Sequence, residues 1–215
     1  NDRLFSTSSK NYGTNALATT AYDDGYTAGG MYYCNGTGGE TRRNVTINNV
    51  IAGDKIVVYM ASSNAATGTL VFKYLGEDNE QVEKASFTNK GTKYEFVAKY
   101  SGSYKVYTDA AAGKPIYNRI VRIPGVAVSG TIDGAQLSGY KVMFKDEANG
   151  ITYDADIKGN TFTATLAAGC NYTAVLSGVA GYGFSNATKN ISTTVDEALT
   201  GKSGVTLSIE EKKVY

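Results

Sequence analysis

Strand-length runs in which apolar and polar residues alternate, separated by glycine and asparagine, fill most of this chain, and a period of two marks half-buried β-strands. In Lys55-Ile56-Val57-Val58-Tyr59-Met60, and again in Gly102-Ser103-Tyr104-Lys105-Val106-Tyr107, one face can be apolar while the other is polar or aromatic. The pattern predicts strands over 43–50, 54–62, 68–75, 81–87, 92–99, 102–108 and 117–123, then over 127–132, 141–146, 152–157, 161–166, 171–177, 189–194 and 204–210. Asn149-Gly150 and Lys158-Gly159-Asn160 suit hairpin loops, and only 196–199 suits a helical turn. The residue types agree, since 17 tyrosines outnumber 7 phenylalanines, 2 prolines interrupt few ladders and 25 glycines supply turns.

This many short strands at regular spacing predict sandwiches. A chain of 215 residues exceeds the usual domain of about 100–150, which favours two domains. The break falls at Ile123-Pro124-Gly125, where proline removes a ladder donor and glycine loosens the backbone directly after an apolar strand. The expectation is therefore an all-β chain of two tandem antiparallel β-sandwiches, residues 1–124 and residues 125–215, joined with little slack. Residues 1–40 differ from the rest, being rich in Gly, Tyr and Asn with little strand periodicity. Irregular segments of this kind carry function on loops or edge strands.

The absence of histidine removes the commonest general base and metal ligand, and with them Ser-His-Asp, Cys-His and zinc constellations. Neither a phosphate-cradling glycine motif nor a Gly-x-Ser-x-Gly elbow occurs. Carboxylate pairs such as Glu77-Asp78 and Asp146-Glu147 stand at turn-like positions, where a solvated turn accounts for them better than a glycosidase pair. The chain is thus expected to be no enzyme. Residues 1–124 hold 14 Lys and Arg against 11 Asp and Glu, a balance of +3, and residues 125–215 hold 7 against 9, a balance of −2. Neither suits nucleic acid, and no apolar run is long enough to span a membrane.

Cys34 and Cys170 fall in different halves and are expected to be buried thiols. Five glycosylation sequons, at Asn35, Asn44, Asn171, Asn186 and Asn190, favour a bacterial source over a glycosylating secretory pathway. The sequence opens at Asn1 without methionine or signal segment and is expected to be an excerpt of a longer protein.

The stretches Gly39-Glu40-Thr41-Arg42-Arg43-Asn44-Val45-Thr46-Ile47, Gly53-Asp54-Lys55-Ile56-Val57-Val58-Tyr59-Met60-Ala61-Ser62-Ser63, Gly102-Ser103-Tyr104-Lys105-Val106-Tyr107 and Ile116-Tyr117-Asn118-Arg119-Ile120 resemble the β-sandwich accessory domains of bacterial pectate lyases and other secreted polysaccharide-degrading enzymes. The resemblance covers residues 1–123 and implies a jelly-roll-like sandwich. The family often carries a further arginine after the paired serines, where this chain has Asn64-Ala65-Ala66-Thr67. The second half, through Val128-Ser129-Gly130-Thr131-Ile132, Gly159-Asn160-Thr161-Phe162 and Tyr172-Thr173-Ala174-Val175-Leu176, is similar to Ig/transthyretin-like and carboxypeptidase-regulatory-like sandwiches, which implies a spacer.

What these resemblances imply is a secreted or cell-surface, extracellular carbohydrate-binding module joined covalently to other domains, among them a catalytic one. The expected partner is a plant cell-wall polysaccharide, a pectic glycan. Such modules present aromatic faces to sugar rings, and an acidic polymer adds a need for Lys or Arg. Tyr32, Tyr33 and Arg42 crowd one segment and Lys114, Tyr117 and Arg119 another; if first and last strands lie side by side, the two sets converge. Arg42 and Arg43, being consecutive, would point to opposite faces of a strand. In Tyr22-Asp23-Asp24-Gly25-Tyr26, Asp23 and Asp24 offer oxygen ligands to a structural calcium ion, the one cofactor considered. The competing reading is a pair of structural or adhesive surface domains.

Overall fold

The computed structural model describes residues 5–7, 21–33, 36, 38–62, 67–77, 80–88, 90–109 and 114–212. It is all-β apart from one short helix, and it divides into two compact units, Asn1–Ile51 with Ile56–Arg122, and Ala52–Lys55 with Ile123–Tyr215. The short segment Ala52–Lys55 thus groups with the second unit, which a single cut at Pro124 does not anticipate.

The first unit contains β1 (Phe5–Thr7), β2 (Tyr32–Tyr33), β3 (Val45–Val50), β4 (Lys55–Ser62), β5 (Gly68–Tyr74), β6 (Val82–Phe87), β7 (Thr92–Val97), β8 (Gly102–Asp109) and β9 (Pro115–Ile123). They form a five-stranded sheet, β1-β3-β8-β5-β6, and a four-stranded one, β2-β9-β4-β7. Both sheets supply one core, from Val45, Ile47, Leu70, Phe72, Tyr104 and Val106 on one side to Ile56, Val58, Met60, Phe96 and Tyr117 on the other. At its centre Phe72 stacks on Tyr104 at 4.5 Å and on Phe96 at 4.9 Å. Tyr104 is wholly buried, and its hydroxyl lies 2.9 Å from Gln81 Oε1 and 2.9 Å from the Tyr100 carbonyl while accepting the Tyr100 N–H at 3.0 Å. Burying a phenol demands such partners. Burial also raises the Tyr104 pKa well above its ordinary value, so the hydroxyl remains a neutral donor.

The strand expected over 43–50 begins later, because Arg43 takes a left-handed φ of 55° and cannot extend the ladder. Asn49, at φ 56°, causes the register shift against β8, in a conformation that asparagine tolerates better than most residues.

The second unit contains β10 (Val126–Gly134), β11 (Lys141–Asp146), β12 (Ile151–Asp154), β13 (Asp156–Lys158), β14 (Thr161–Leu166), β15 (Asn171–Ser177), β16 (Tyr182–Phe184), β17 (Asn190–Ser192), α1 (Glu197–Thr200) and β18 (Lys202–Glu211). Its sheets are β13-β14-β10-β18-β16 and β12-β11-β15-β17. Phe144 on β11 meets Phe162 on β14 across them at 5.5 Å between ring centroids. The run expected over 152–157 is two strands, since β12 pairs with β11 and β13 with β14 in the other sheet, with Ala155 at the crossing. The expected helical turn is α1. There the Thr194 N–H donates to the Glu197 carboxylate at 2.8 Å, and Thr194 Oγ1 accepts the Glu197 N–H at 3.3 Å.

One pairing departs from the expected antiparallel plan, for β10 and β18 run parallel. Parallel neighbours need a crossover, and the chain makes one, leaving the other sheet after β17 and returning through α1. The two strands approach closely at Gly130, where a Cβ would stand 1.9 Å from the Val205 carbonyl oxygen.

Replacing Phe72 by alanine is expected to cost about 3–5 kcal/mol of stability in the first unit, read as a lowered urea midpoint. Gly130→Ala is expected to cost about 1–3 kcal/mol or more in the second, by forcing β10 off β18. Urea titrations followed by circular dichroism check both.

Candidate functional site

Every residue of β4 is buried, which a sandwich strand with a solvent face would not show. Ile56, Val58 and Met60 enter the core, whereas Val57, Tyr59 and Ala61 lie on the reverse face and are buried as well. Part of the cover over that face is the segment from Ala21 to Gly30. Ala21 bridges to Thr27, the Tyr22 N–H donates to the Tyr26 carbonyl at 2.8 Å, and Gly25 takes φ 84° at the tip. Glycine suits that tip because a side chain there would be strained.

The turn is fastened by its aromatic and acidic side chains. Tyr22, Tyr26 and Tyr59 form a three-ring cluster with centroid separations of 5.6, 5.1 and 4.8 Å. Tyr59 donates its hydroxyl to Asp24 Oδ2 at 2.7 Å, the Tyr26 N–H donates to Asp24 Oδ1 at 3.1 Å, and Lys93 Nζ stands 3.6 Å from Oδ2. Tyr22 donates to Asn118 Oδ1 at 2.6 Å, and Asn118 Nδ2 donates to the Gly30 carbonyl at 2.9 Å. Asn118 on β9 therefore ties down both ends of the turn segment. The Tyr59 hydroxyl foremost, then the Tyr26 amide, hold the Asp24 carboxyl below its ordinary value. Burial, joined by the Asp24 charge, raises Tyr59.

Arg119, next along β9, is exposed, and its guanidinium lies 5.0 Å from the Tyr26 ring centroid and 5.8 Å from that of Tyr59. Among the described residues no carboxylate forms a salt bridge with it. Beside it opens a recess of about 270 Å³ lined by Met31, Tyr32, Val45, Tyr117, Asn118, Arg119 and Ile120. Its lining is mainly apolar, with Asn118 and Arg119 as its amide and charged residues.

Three of the six residues expected to bind ligand meet here. Tyr32 on β2 pairs in register with Tyr117 on β9, and their rings stack at 6.0 Å. Tyr117 is 3% exposed and belongs to the core, so it forms the floor of the recess rather than a flat platform on the surface. Tyr33 pairs with Ile116 in the same ladder. Lys114, half-buried just before β9, does not line the recess. Nor does Arg42, exposed in a tight turn closed by the Gly39 bridge. Lys73 of β5 fixes that turn by pairing with Glu40 at 2.8 Å and lowering the Glu40 pKa, while Lys105 of β8 donates to the Glu40 carbonyl at 3.0 Å. The strand geometry that would point Arg42 and Arg43 to opposite faces does not apply, because β3 begins only at Val45 and Arg43 is left-handed.

Asp23 is exposed, and Asp24 is engaged by Tyr59, Tyr26 and Lys93; no group of three or more acidic or cysteine side chains suited to a metal occurs among the described residues. Cys34 lies outside the described residues, and Cys170 is a half-buried thiol whose pKa burial raises. Among the described residues no helix is long and apolar enough to cross a membrane. Tyr22, Tyr26, Tyr59, Lys93 and Asn118 were not singled out from the sequence as a group. The signal available was the unbroken apolar run in β4, which implies cover on both faces. No family model matches the chain, and no curated protein matches its sequence.

Because the folded Asp24 pKa lies below its ordinary 3.8, its contribution to holding the turn is present above that value and is lost as pH falls through the lower, folded value. Acidification below the usual carboxylate range is therefore expected to release Tyr59 and increase exchange of the Tyr26 amide. In Asp24→Asn, which keeps an acceptor but no charge, that acid transition is expected to vanish. Amide exchange followed by NMR across the acid range checks both.

Proposed function

We propose that the first unit is a non-catalytic carbohydrate-binding module that takes an acidic or neutral pectic glycan at the recess beside Arg119, within a secreted bacterial protein that degrades plant polysaccharide. The observation that carries this reading is Arg119 itself. Its guanidinium rests on two tyrosine rings, stands exposed, and has no acidic partner among the described residues. A guanidinium so placed keeps its planar fork available for a carboxylate, which it grips with two parallel hydrogen bonds.

The recess supports the same reading by size and chemistry. At about 270 Å³ it is slightly smaller than the ~300–1,000 Å³ of sites that engulf drug-sized ligands, which suits one sugar ring or a chain end. The apolar faces of Met31, Tyr32 and Ile120 suit the C–H face of a pyranose. A binding rather than catalytic role fits a chain without histidine, in which Asp24, hydrogen-bonded to the Tyr59 that Arg119 overlies, is committed to holding the turn.

On an affinity gel or in calorimetry with polygalacturonate, Arg119→Ala is expected to weaken binding by about ten- to hundredfold, the worth of a lost charged hydrogen bond. Arg119→Lys is expected to recover only part, having no fork, and added salt should weaken the wild type. Galactan and xylan in parallel lanes identify a neutral preference. Absence of wild-type binding to all three glycans, or unchanged affinity in Arg119→Ala, overturns the proposal.

A further inference from the structure

We infer that the second unit is a strut that resists tension applied between its two ends, with the parallel β10–β18 pair as the mechanical clamp. The unit also takes in Ala52–Lys55, but its first strand, β10, opens at Val126 and its last, β18, closes at Glu211. Because the two strands are parallel, these two points lie at opposite ends of the same pair. Force drawn outward from them runs along the strand axes, at right angles to the hydrogen bonds that join the strands. The pairs of the unbroken run from Gly130↔Val205 to Gly134↔Ile209, which follows a register shift after Val128↔Lys202, are then sheared together and must fail together. In an antiparallel pair pulled apart from one end, bonds open one after another and each fails at a small force.

Three features of the unit reinforce the clamp. Both strands are interior to their sheet, β10 being held also by β14 from Val126↔Leu166 to Thr131↔Thr161, and β18 by β16. The side chains of Val126, Val128 and Ile132 on β10, and of Leu207 and Ile209 on β18, are buried, so sliding either strand drags apolar groups out of the core. Gly130 and Gly134 place bare Cα atoms against the Val205 and Ile209 carbonyls, where a Cβ would stand 1.9 and 2.3 Å away, so no side chain wedges the strands apart. None of this depends on what the first unit binds.

The test is single-molecule force spectroscopy on the full chain, with Cys34→Ser and Cys170→Ser removing the native thiols. Handles are attached in one molecule at Pro124→Cys and Lys212→Cys, both exposed positions flanking the clamp. In a second molecule they are attached at Lys141→Cys and Ser177→Cys, which face each other at one end of the antiparallel β11–β15 pair. The expected result at equal loading rate is a rupture force several-fold higher along 124–212 than along 141–177, since forced unfolding reports the barrier along the pulled direction. Equal forces on the two axes, or a lower force along 124–212, overturn the inference. Because both measurements use one fold and leave the clamp residues unchanged, the comparison does not rest on a variant that fails to fold. Loss of glycan binding in the first unit leaves the prediction as it stands.

Discussion

The first unit depends on a strand that has no wet side. β4 lies between β9 and β7 and sends Ile56, Val58 and Met60 into the core, yet its opposite face carries Val57, Tyr59 and Ala61 rather than the polar residues that would suit solvent. Two sheets cannot cover that reverse face, because each has only one partner. An additional layer is required, and the chain supplies one from a segment with almost no regular structure of its own. The hydrophobic effect demands the cover, and hydrogen bonds fix its position.

That requirement decides where the chemistry sits. A covering turn over an aromatic strand brings three tyrosines together, and the Tyr59 hydroxyl must then find an acceptor, which Asp24 provides. Asp24, occupied by two hydrogen bonds and by Lys93, gives no ion pair to Arg119 among the described residues. The rings attract the guanidinium through their faces without satisfying its N–H groups, which is the difference between an arginine that serves stability and one left able to grip an anion. Asn118 completes the logic, because the residue that holds both ends of the cover is the immediate neighbour of Arg119 on β9.

Long strands were legible in the sequence because a period of two sustained over six or more residues fits a half-buried strand and fits no helix, as in 102–108 or 161–166. Strands of two or three residues, β1, β2 and β16, carry no period and so no signal. The run 152–157 looked continuous since alternation persists across Ala155, while the change of sheet there is decided by tertiary pairing. At the site, Asp24 was legible as a turn residue but its partner was not, for Tyr59 stands 35 positions away. Tyr32 and Tyr117 were legible as members of two segments that could converge, but the burial of Tyr117 was not, because composition does not say which face of an edge ladder points inward.

The two units solve the problem of a small all-β domain in opposite ways, and the contrast underlies the different roles proposed for them. In the first, an irregular segment lies over a sheet, and such a segment can change its side chains at little cost to the ladders beneath it. In the second, close approach is concentrated at Gly130 and Gly134, where the carbonyls of Val205 and Ile209 exclude any side chain. A surface fastened by side chains can be tuned toward a ligand, whereas a pair fastened backbone to backbone has nothing to tune and presents only strength. The two proposals follow that contrast, with recognition assigned to the place where the tyrosines and Arg119 gather and resistance to force to the place where the glycines do.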